Sequence, residues 1–194
     1  MARVEITAMT FGPFGVGRID GKTVMVPNCA PGDLLEVEIE SQRRDYAIAR
    51  PVSLIRPGPS RRVTPCPFLP RCGGCDWQQI AYDGQVRLKA QMISAEIARA
   101  LRIPLDPAGL VERAPEEFGY RSRIRFKVAP GGRLGFNQLG TNTIVEIDHC
   151  MLGVEGLRLP RELAGALGAS VREIEVVRAG AMEVQIAELS RAPG

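Results

Sequence analysis

The chain has 194 residues, 45% of them hydrophobic and 5% aromatic, with a formal net charge of +3. That length suits one ordinary domain or two small ones, packed mainly by aliphatic side chains. The apolar runs fall far short of the roughly 18–20 residues that a membrane span needs, and the first residues lack the apolar core of a signal peptide. A soluble, cytoplasmic protein is expected, and in a reducing compartment cysteines point to metal or catalysis before disulfides.

Charge is unevenly spread. Residues 43–62 carry Arg43, Arg44, Arg50, Arg56, Arg61 and Arg62 against Asp45 alone, and residues 121–127 carry cations and no acid. The stretch from 151 onward is slightly acidic. Basic charge gathered in the first two-thirds is what contact with phosphates requires, although solvated faces would look the same.

Residues 1–57 read as a small β-barrel. Apolar and polar residues alternate over Arg3–Thr7, Thr23–Val26 and Leu35–Glu40, with turn signals at Asp20-Gly21, Pro27-Asn28 and Pro31-Gly32-Asp33. Short strands at this spacing, with no helical pattern between them, suggest a barrel of the oligonucleotide-binding type. Within it, FGPFGVGRIDGKT ends like a phosphate loop. Val16 stands where that loop needs its first glycine, and strand and turn surround the run. The better account is glycines that let strands bend.

Residues 58–82 form a linker rich in proline, glycine and cysteine, and three of the chain's five cysteines fall within CPFLPRCGGC. Such a stretch cannot build regular structure, so something else must order it. Cys72 and Cys75 are spaced C-x2-C around Gly73-Gly74, Cys66 precedes them, and Cys29 and Cys150 are candidates for a fourth ligand. Thiolates suit zinc or an iron–sulfur cluster. Three clustered thiols with one remote are closer to a four-iron cluster. Zinc, with His149 as a further candidate ligand, and unligated thiols remain open on the residues alone.

Residues 83–194 read as an α+β domain. A helix is expected from Asp83, as N-cap, to Arg102, stopped by Pro104, with Val86, Ala90, Ile93, Ile97 and Leu101 as its apolar stripe. Next, Tyr120–Val128 has a strict period of two: Arg121, Arg123, Arg125 and Lys127 share one face, and Ile124, Phe126 and Val128 the other. Either Glu116, Glu117, Glu146 or Asp148 neutralises the cations, or they track an RNA backbone. A hairpin turn at Pro130-Gly131-Gly132, a strand Thr143–Ile147, and strand-like runs Glu173–Val177 and Met182–Ile186 follow.

These motifs together resemble a known family. FGPFGVGRIDGKTVMVPNCAPGD is similar to a TRAM domain, a small RNA-binding barrel. CPFLPRCGGCDWQQIAYDGQVRLKAQMI, YRSRIRFKV and LGFNQLGTNTIVEIDHCML resemble the RNA (uracil-5-)-methyltransferase family, which modifies ribosomal or transfer RNA. The resemblance implies a mainly β protein with some helix, in which a TRAM barrel of OB type precedes an α+β central domain with a cysteine-rich cluster-binding loop. It also implies that Cys66, Cys72, Cys75 and Cys150 hold a structural 4Fe-4S cluster, with zinc as the lesser choice, and that Cys29 is a plain thiol.

The family's Rossmann-like domain, which binds S-adenosylmethionine and supplies a nucleophilic cysteine and a base, has no match here. No strand–glycine loop–helix unit is present, and all five cysteines lie at or before position 150. The expectation is therefore an incomplete central domain and a chain inactive alone. S-adenosylmethionine enters only if a catalytic domain is supplied. The expected role is RNA recognition for a class I methyltransferase that makes 5-methyluridine, the alternative being a stand-alone, non-catalytic RNA-binding iron–sulfur module. The expected partner is structured RNA, with neither membrane nor DNA. Expected RNA contacts are Arg121, Arg123, Arg125 and Lys127, followed by Arg18, Lys22, Arg43 and Arg44.

Overall fold

The computed structural model describes residues 1–155, 157, 171–179 and 183–191. They divide into two compact units, Met1–Pro67 with Cys75–Arg113, and Phe68–Gly74 with Ala114–Gly194.

In the first unit, β1 (Ala2–Glu5), β2 (Ala8–Met9), β3 (Phe14–Ile19), β4 (Lys22–Pro27), β5 (Leu34–Gln42) and β6 (Tyr46–Arg56) follow the order β1-β5-β6-β4-β3-β2. The strands at the two ends of that order are separated in sequence by Ile6 and Thr7 alone. The sheet therefore curls until its edges meet in one bent strand, whose first part pairs with β5 and whose second pairs with β3. Across the bend, Ile6 N–H donates to Asp33 O at 2.9 Å and Thr7 N–H to Val16 O at 2.8 Å. With β4 and β6 parallel and the other pairs antiparallel, this is the expected OB-type barrel.

Glycine makes the closure possible. A Cβ on Gly17 would stand 2.4 Å from the Glu5 carbonyl oxygen, so β3 reaches β1 only without a side chain there. Val4, Ile6, Val24, Val26, Leu35, Val37, Ala47 and Ala49 fill the interior, and alternation along each strand puts them there. The Gly-Lys-Thr run is a hairpin. Asp20 and Gly21 have φ of 50° and 80°, the left-handed pair that a two-residue type I′ turn demands.

Helix α1 spans Tyr82–Leu101, and its N-cap position is Ala81, which caps with no side chain. Asp83 lies in the first turn, where its carboxylate pairs with Arg113. Arg102, at φ 58°, ends the helix in the left-handed region two residues before Pro104. The fully buried positions are Gly84, Ala90 and Ser94; of the expected stripe Ala90 is buried, Val86, Ile93 and Ile97 are half-buried, and Leu101 is 62% exposed. Close approach accounts for Gly84, where a Cβ would fall 2.8 Å from Ser60 Cβ. Among the described residues no helix is long and apolar enough to cross a membrane.

The second unit holds a five-stranded antiparallel sheet. Its strands are β7 (Arg123–Val128), β8 (Leu134–Asn137), β9 (Ile144–Glu146), β10 (Val171–Ala179) and β11 (Glu183–Arg191), in the order β11-β10-β7-β8-β9. Ile124, Phe126 and Val128 are buried with Leu134, Val145, Ile147, Ile174 and Val176. β7 starts later than the alternation suggests because Arg121 pairs elsewhere. It bridges Gly153, its N–H donating to Leu152 O at 2.7 Å and its carbonyl accepting from Val154 N–H at 2.9 Å. The Pro130-Gly131-Gly132 turn holds both glycines at positive φ, 82° and 79°.

Candidate nucleic-acid interface and cysteine site

The linker is ordered by side chains. Asp33, fully buried, accepts from Gly58 N–H at 2.8 Å through one carboxylate oxygen, and from Ala30 N–H at 2.7 Å and Arg61 at 2.5 Å through the other. Arg61 also donates to Asn28 O at 3.2 Å. One carboxylate thus ties the loop after β4 to the chain leaving β6, and a buried charge so surrounded is satisfied. Trp77 Nε1–H donates to Gly12 O at 3.0 Å, and Gln79 Nε2–H donates to Cys29 O and to Asp76 O, each at 2.9 Å. Ile80, fully buried, packs with Met9 and Ala30.

Cys66 and Cys75 belong to the first unit, and Cys72 and Cys150 to the second. Gln78 Nε2–H donates to Cys75 Sγ at 3.2 Å, while Gln78 Oε1 is buried with no partner. Cys72 lies in the core of the second unit, Cys150, Phe68 and Leu69 each pack against that same core, and Gly74 N–H points at Cys72 Sγ from 3.4 Å. Gly73 must be glycine, because a Cβ would stand 2.7 Å from Asn137 O, the atom its own N–H bonds at 2.9 Å.

Among the described residues no three or more His, Cys, Asp or Glu are grouped as a metal-holding set. Amide N–H groups are directed at two of the sulfurs, from Gly74 to Cys72 Sγ and from Gln78 to Cys75 Sγ, the kind of donor that a thiolate centre uses.

Cys29 is of another kind. It is fully buried in the barrel, its thiol donates to Val26 O at 3.0 Å, and burial pushes its pKa up to about 12. It stays protonated near neutrality and offers no thiolate. His149 Nδ1 lies 2.7 Å from Asp148 Oδ1, which holds that carboxyl below its ordinary value, and the ring sits edge-on to Phe68.

On the second sheet, β7 presents Arg123, Arg125 and Lys127 on its outer face as the alternation requires. Counter-charges for them come from β10, while Glu146 and Asp148 pair with other residues. Register places Glu173 opposite Lys127 and Glu175 opposite Arg125. Arg123 Nε is 3.8 Å from Glu175, Arg125 is 3.3 Å from Glu173 and 3.5 Å from Glu175, and Lys127 pairs with Glu173. Glu146 pairs with Arg133 instead. Arg121 lies outside this ladder, its guanidinium 5.9 Å from the Tyr120 ring centre. The spacing Glu173-x-Glu175 in a strand-like run was the legible signal of a matching acidic row. Which strand it would face was not legible.

At the barrel, Thr23 on β4 lies beside Tyr46 on the parallel strand β6. The turns that precede these strands therefore share one end of the barrel. One carries Arg18 and Lys22, the other Arg43 and Arg44, with Asp20 and Asp45 among them. Arg18 donates to Gly21 O at 2.8 Å, bracing its turn.

Residues 2–60 match the family described as tRNA (uracil(54)-C(5))-methyltransferase, TRAM domain. Over 79% of its length the chain is 29% identical to a protein of Aquifex aeolicus named as an RNA methyltransferase, covering 36% of it. It is 32% identical to one of Bdellovibrio bacteriovorus so named, over 80% of the chain and 39% of that protein. With the 23S rRNA (uracil(1939)-C(5))-methyltransferase RlmD of Mannheimia succiniciproducens it shares 31% identity, over 76% and 34%. The chain thus spans about a third of the length of the curated relatives it matches. The crystal structure of Pyrococcus abyssi tRNA (uracil-54, C5)-methyltransferase in complex with S-adenosyl-L-homocysteine has the same fold over 98% of this chain and 46% of its own, with a TM-score of 0.64 at 21% identity. The barrel and these comparisons agree: residues 2–60 are a TRAM domain of the tRNA (uracil(54)-C(5))-methyltransferase kind, and the chain is similar over about four-fifths of its length to proteins named as RNA methyltransferases.

Proposed function

We propose that this chain is the RNA-recognition part of an S-adenosylmethionine-dependent RNA uracil-5-methyltransferase, the class that forms 5-methyluridine in ribosomal or transfer RNA. The observation that carries the proposal is a TRAM match over residues 2–60 that coincides with an OB-type barrel carrying Arg18, Lys22, Arg43 and Arg44 at one end. The cation row of Arg123, Arg125 and Lys127, continued by Arg121, supplies a second phosphate-binding face. The ladder pairs these side chains with Glu173 and Glu175 while leaving Arg123 and Arg125 more than half exposed. Methyl transfer, with S-adenosylmethionine as donor, belongs to the parts of the relatives beyond the matched third.

Cys66, Cys72, Cys75 and Cys150 would hold a 4Fe-4S cluster. The cluster would supply structural cross-linking and no step of the methyl transfer. The residues' own part is to donate N–H groups toward the sulfurs, from Gly74 and Gln78, and to anchor the segment through Trp77 and Gln79.

Two measurements test this reading. Anaerobically prepared protein should contain iron and acid-labile sulfide in equal amounts and little zinc, and Cys72→Ser should lose both iron and sulfide. A colourless, metal-free and fully folded preparation would refute the cluster. Arg123→Ala should flatten the salt dependence of RNA binding by roughly one unit of logarithmic slope. An unchanged slope removes that residue from the interface.

A further inference from the structure

Beside the cation row, the second unit contains two adjoining hollows. The first, about 440 Å³, is walled by Gly73 and Gly74, by Arg125 and Lys127 of β7, by Phe136 and Asn137 of β8, and by Glu173 of β10. The second, about 340 Å³, shares Gly73 and Asn137 and continues along the β8–β9 turn as far as Asn142. The first hollow combines an aromatic ring, two cations and groups able to pair with a base edge, and the second adds polar side chains with neither ring nor cation.

The ring is half-buried and fixed. Phe136 packs on Phe126 with ring centres 5.2 Å apart and a tilt of 34°. Beside it stands Gly74, where a Cβ would lie 3.5 Å from the Phe136 ring atoms, so a longer side chain would crowd the ring. A flat apolar surface next to Arg125 and Lys127 suits a nucleobase whose phosphate meets the cations. Asn137 offers both a donor and an acceptor, and Glu173 offers acceptors, as base edges require. In a duplex the bases are stacked on one another and cannot enter such a hollow, whereas an unstacked base can.

We infer that this groove binds single-stranded RNA, with one unpaired base stacked on Phe136 between Arg125, Lys127 and Asn137, and the strand continuing past Gly73 along the β8–β9 turn. The inference rests on the RNA-recognition reading and names the form of RNA this face takes. It also separates two roles. The cations set salt dependence without regard to base pairing, while the ring selects strands with a free base.

The test uses the full chain and fluorescence anisotropy with an unstructured RNA of about a dozen nucleotides, the same RNA in a duplex, the same RNA carrying one abasic site at each position in turn, and free mononucleotides. The single strand should bind at least tenfold more tightly than the duplex, and one abasic position should cost roughly tenfold, in the range known for base–aromatic stacking. Phe136→Leu, which keeps bulk against Phe126, should erase that abasic penalty while leaving the salt slope unchanged. Equal affinity for single strand and duplex, an indifferent abasic series, or an abasic penalty retained in Phe136→Leu each overturns the groove while leaving RNA binding intact. Mononucleotides binding as tightly as the oligomer would also overturn it, marking a small-molecule pocket. No RNA binding at all would sink this inference and the function together.

Discussion

Each unit contains a carboxylate–arginine arrangement, and the two do opposite things. In the barrel unit, Asp33 is fully buried, and its oxygens accept from two backbone N–H groups and from Arg61. In the second unit, Glu173 and Glu175 face Arg123, Arg125 and Lys127 across neighbouring strands whose arginines remain largely in water. The same charges thus lock one unit and display cations on the other. Desolvation makes the difference: a buried carboxylate without partners is costly, so its partners become obligatory, while an exposed ladder is screened and replaceable.

The contrast is most directly broken at Asp33. Asp33→Ala should destabilise the barrel unit by about 3–5 kcal/mol, since Arg61 and the N–H groups of Ala30 and Gly58 all lose their acceptor. Urea denaturation reads this, and a loss below about 1 kcal/mol would put Asp33 on the same footing as the ladder.

Barrel closure comes next. Gly17→Ala drives a methyl group into the Glu5 carbonyl and should cost roughly 1–3 kcal/mol. The same urea titration reads it, and near-neutral stability would mean that β1 and β3 can part without penalty.

The third test uses pH. The folded Cys29 pKa, about 12, lies above the ordinary thiol value of 9.0 because burial disfavours the thiolate. The protonated thiol's contribution is therefore fully present below pH 9 and is lost as pH rises toward 12. Stability of the native protein should decline above pH 9 by up to about 1.4 kcal/mol per pH unit from this group. Cys29→Ala should be less stable at neutral pH, from the cavity, yet flatter against alkali. Parallel alkaline profiles for the two proteins would contradict the assignment.

Smallest in stability is the ladder itself. Glu175→Gln should cost less than about 1 kcal/mol, yet it frees positive charge at Arg123 and Arg125 and should steepen the salt dependence of RNA binding. If stability collapses while the salt slope stays unchanged, the ladder is a structural lock like Asp33, and the contrast between the units is wrong.

Most of the strands were legible because alternation is local. Ile124, Phe126 and Val128 read as inward and are buried, and Asp20-Gly21 read as a turn and adopts the turn's two left-handed residues. The helix was legible in extent but only in part in the face it buries. Its stripe was chosen by hydrophobicity and held at Ala90, whereas close approach to Ser60 buried Gly84 and a bond to Leu105 O accompanies the burial of Ser94. Asp33 read as a turn residue. Nothing near it in sequence announced that Arg61 and Gly58, more than twenty residues on, would close around it.

The amino-acid order alone therefore determined the periods: which residues face in, where chain direction reverses, and that Arg123, Arg125 and Lys127 share one face, though not that Arg121 leaves their strand. Tertiary structure decided the partners. Lys127 meets Glu173 and Arg125 meets Glu175 across 46 and 50 residues of chain, and Phe136 flanks Gly74 from a different segment. Periodicity follows from backbone geometry within a few residues. Pairing depends on long-range register and on which groups lose their water together, and neither exists until the sheets have formed.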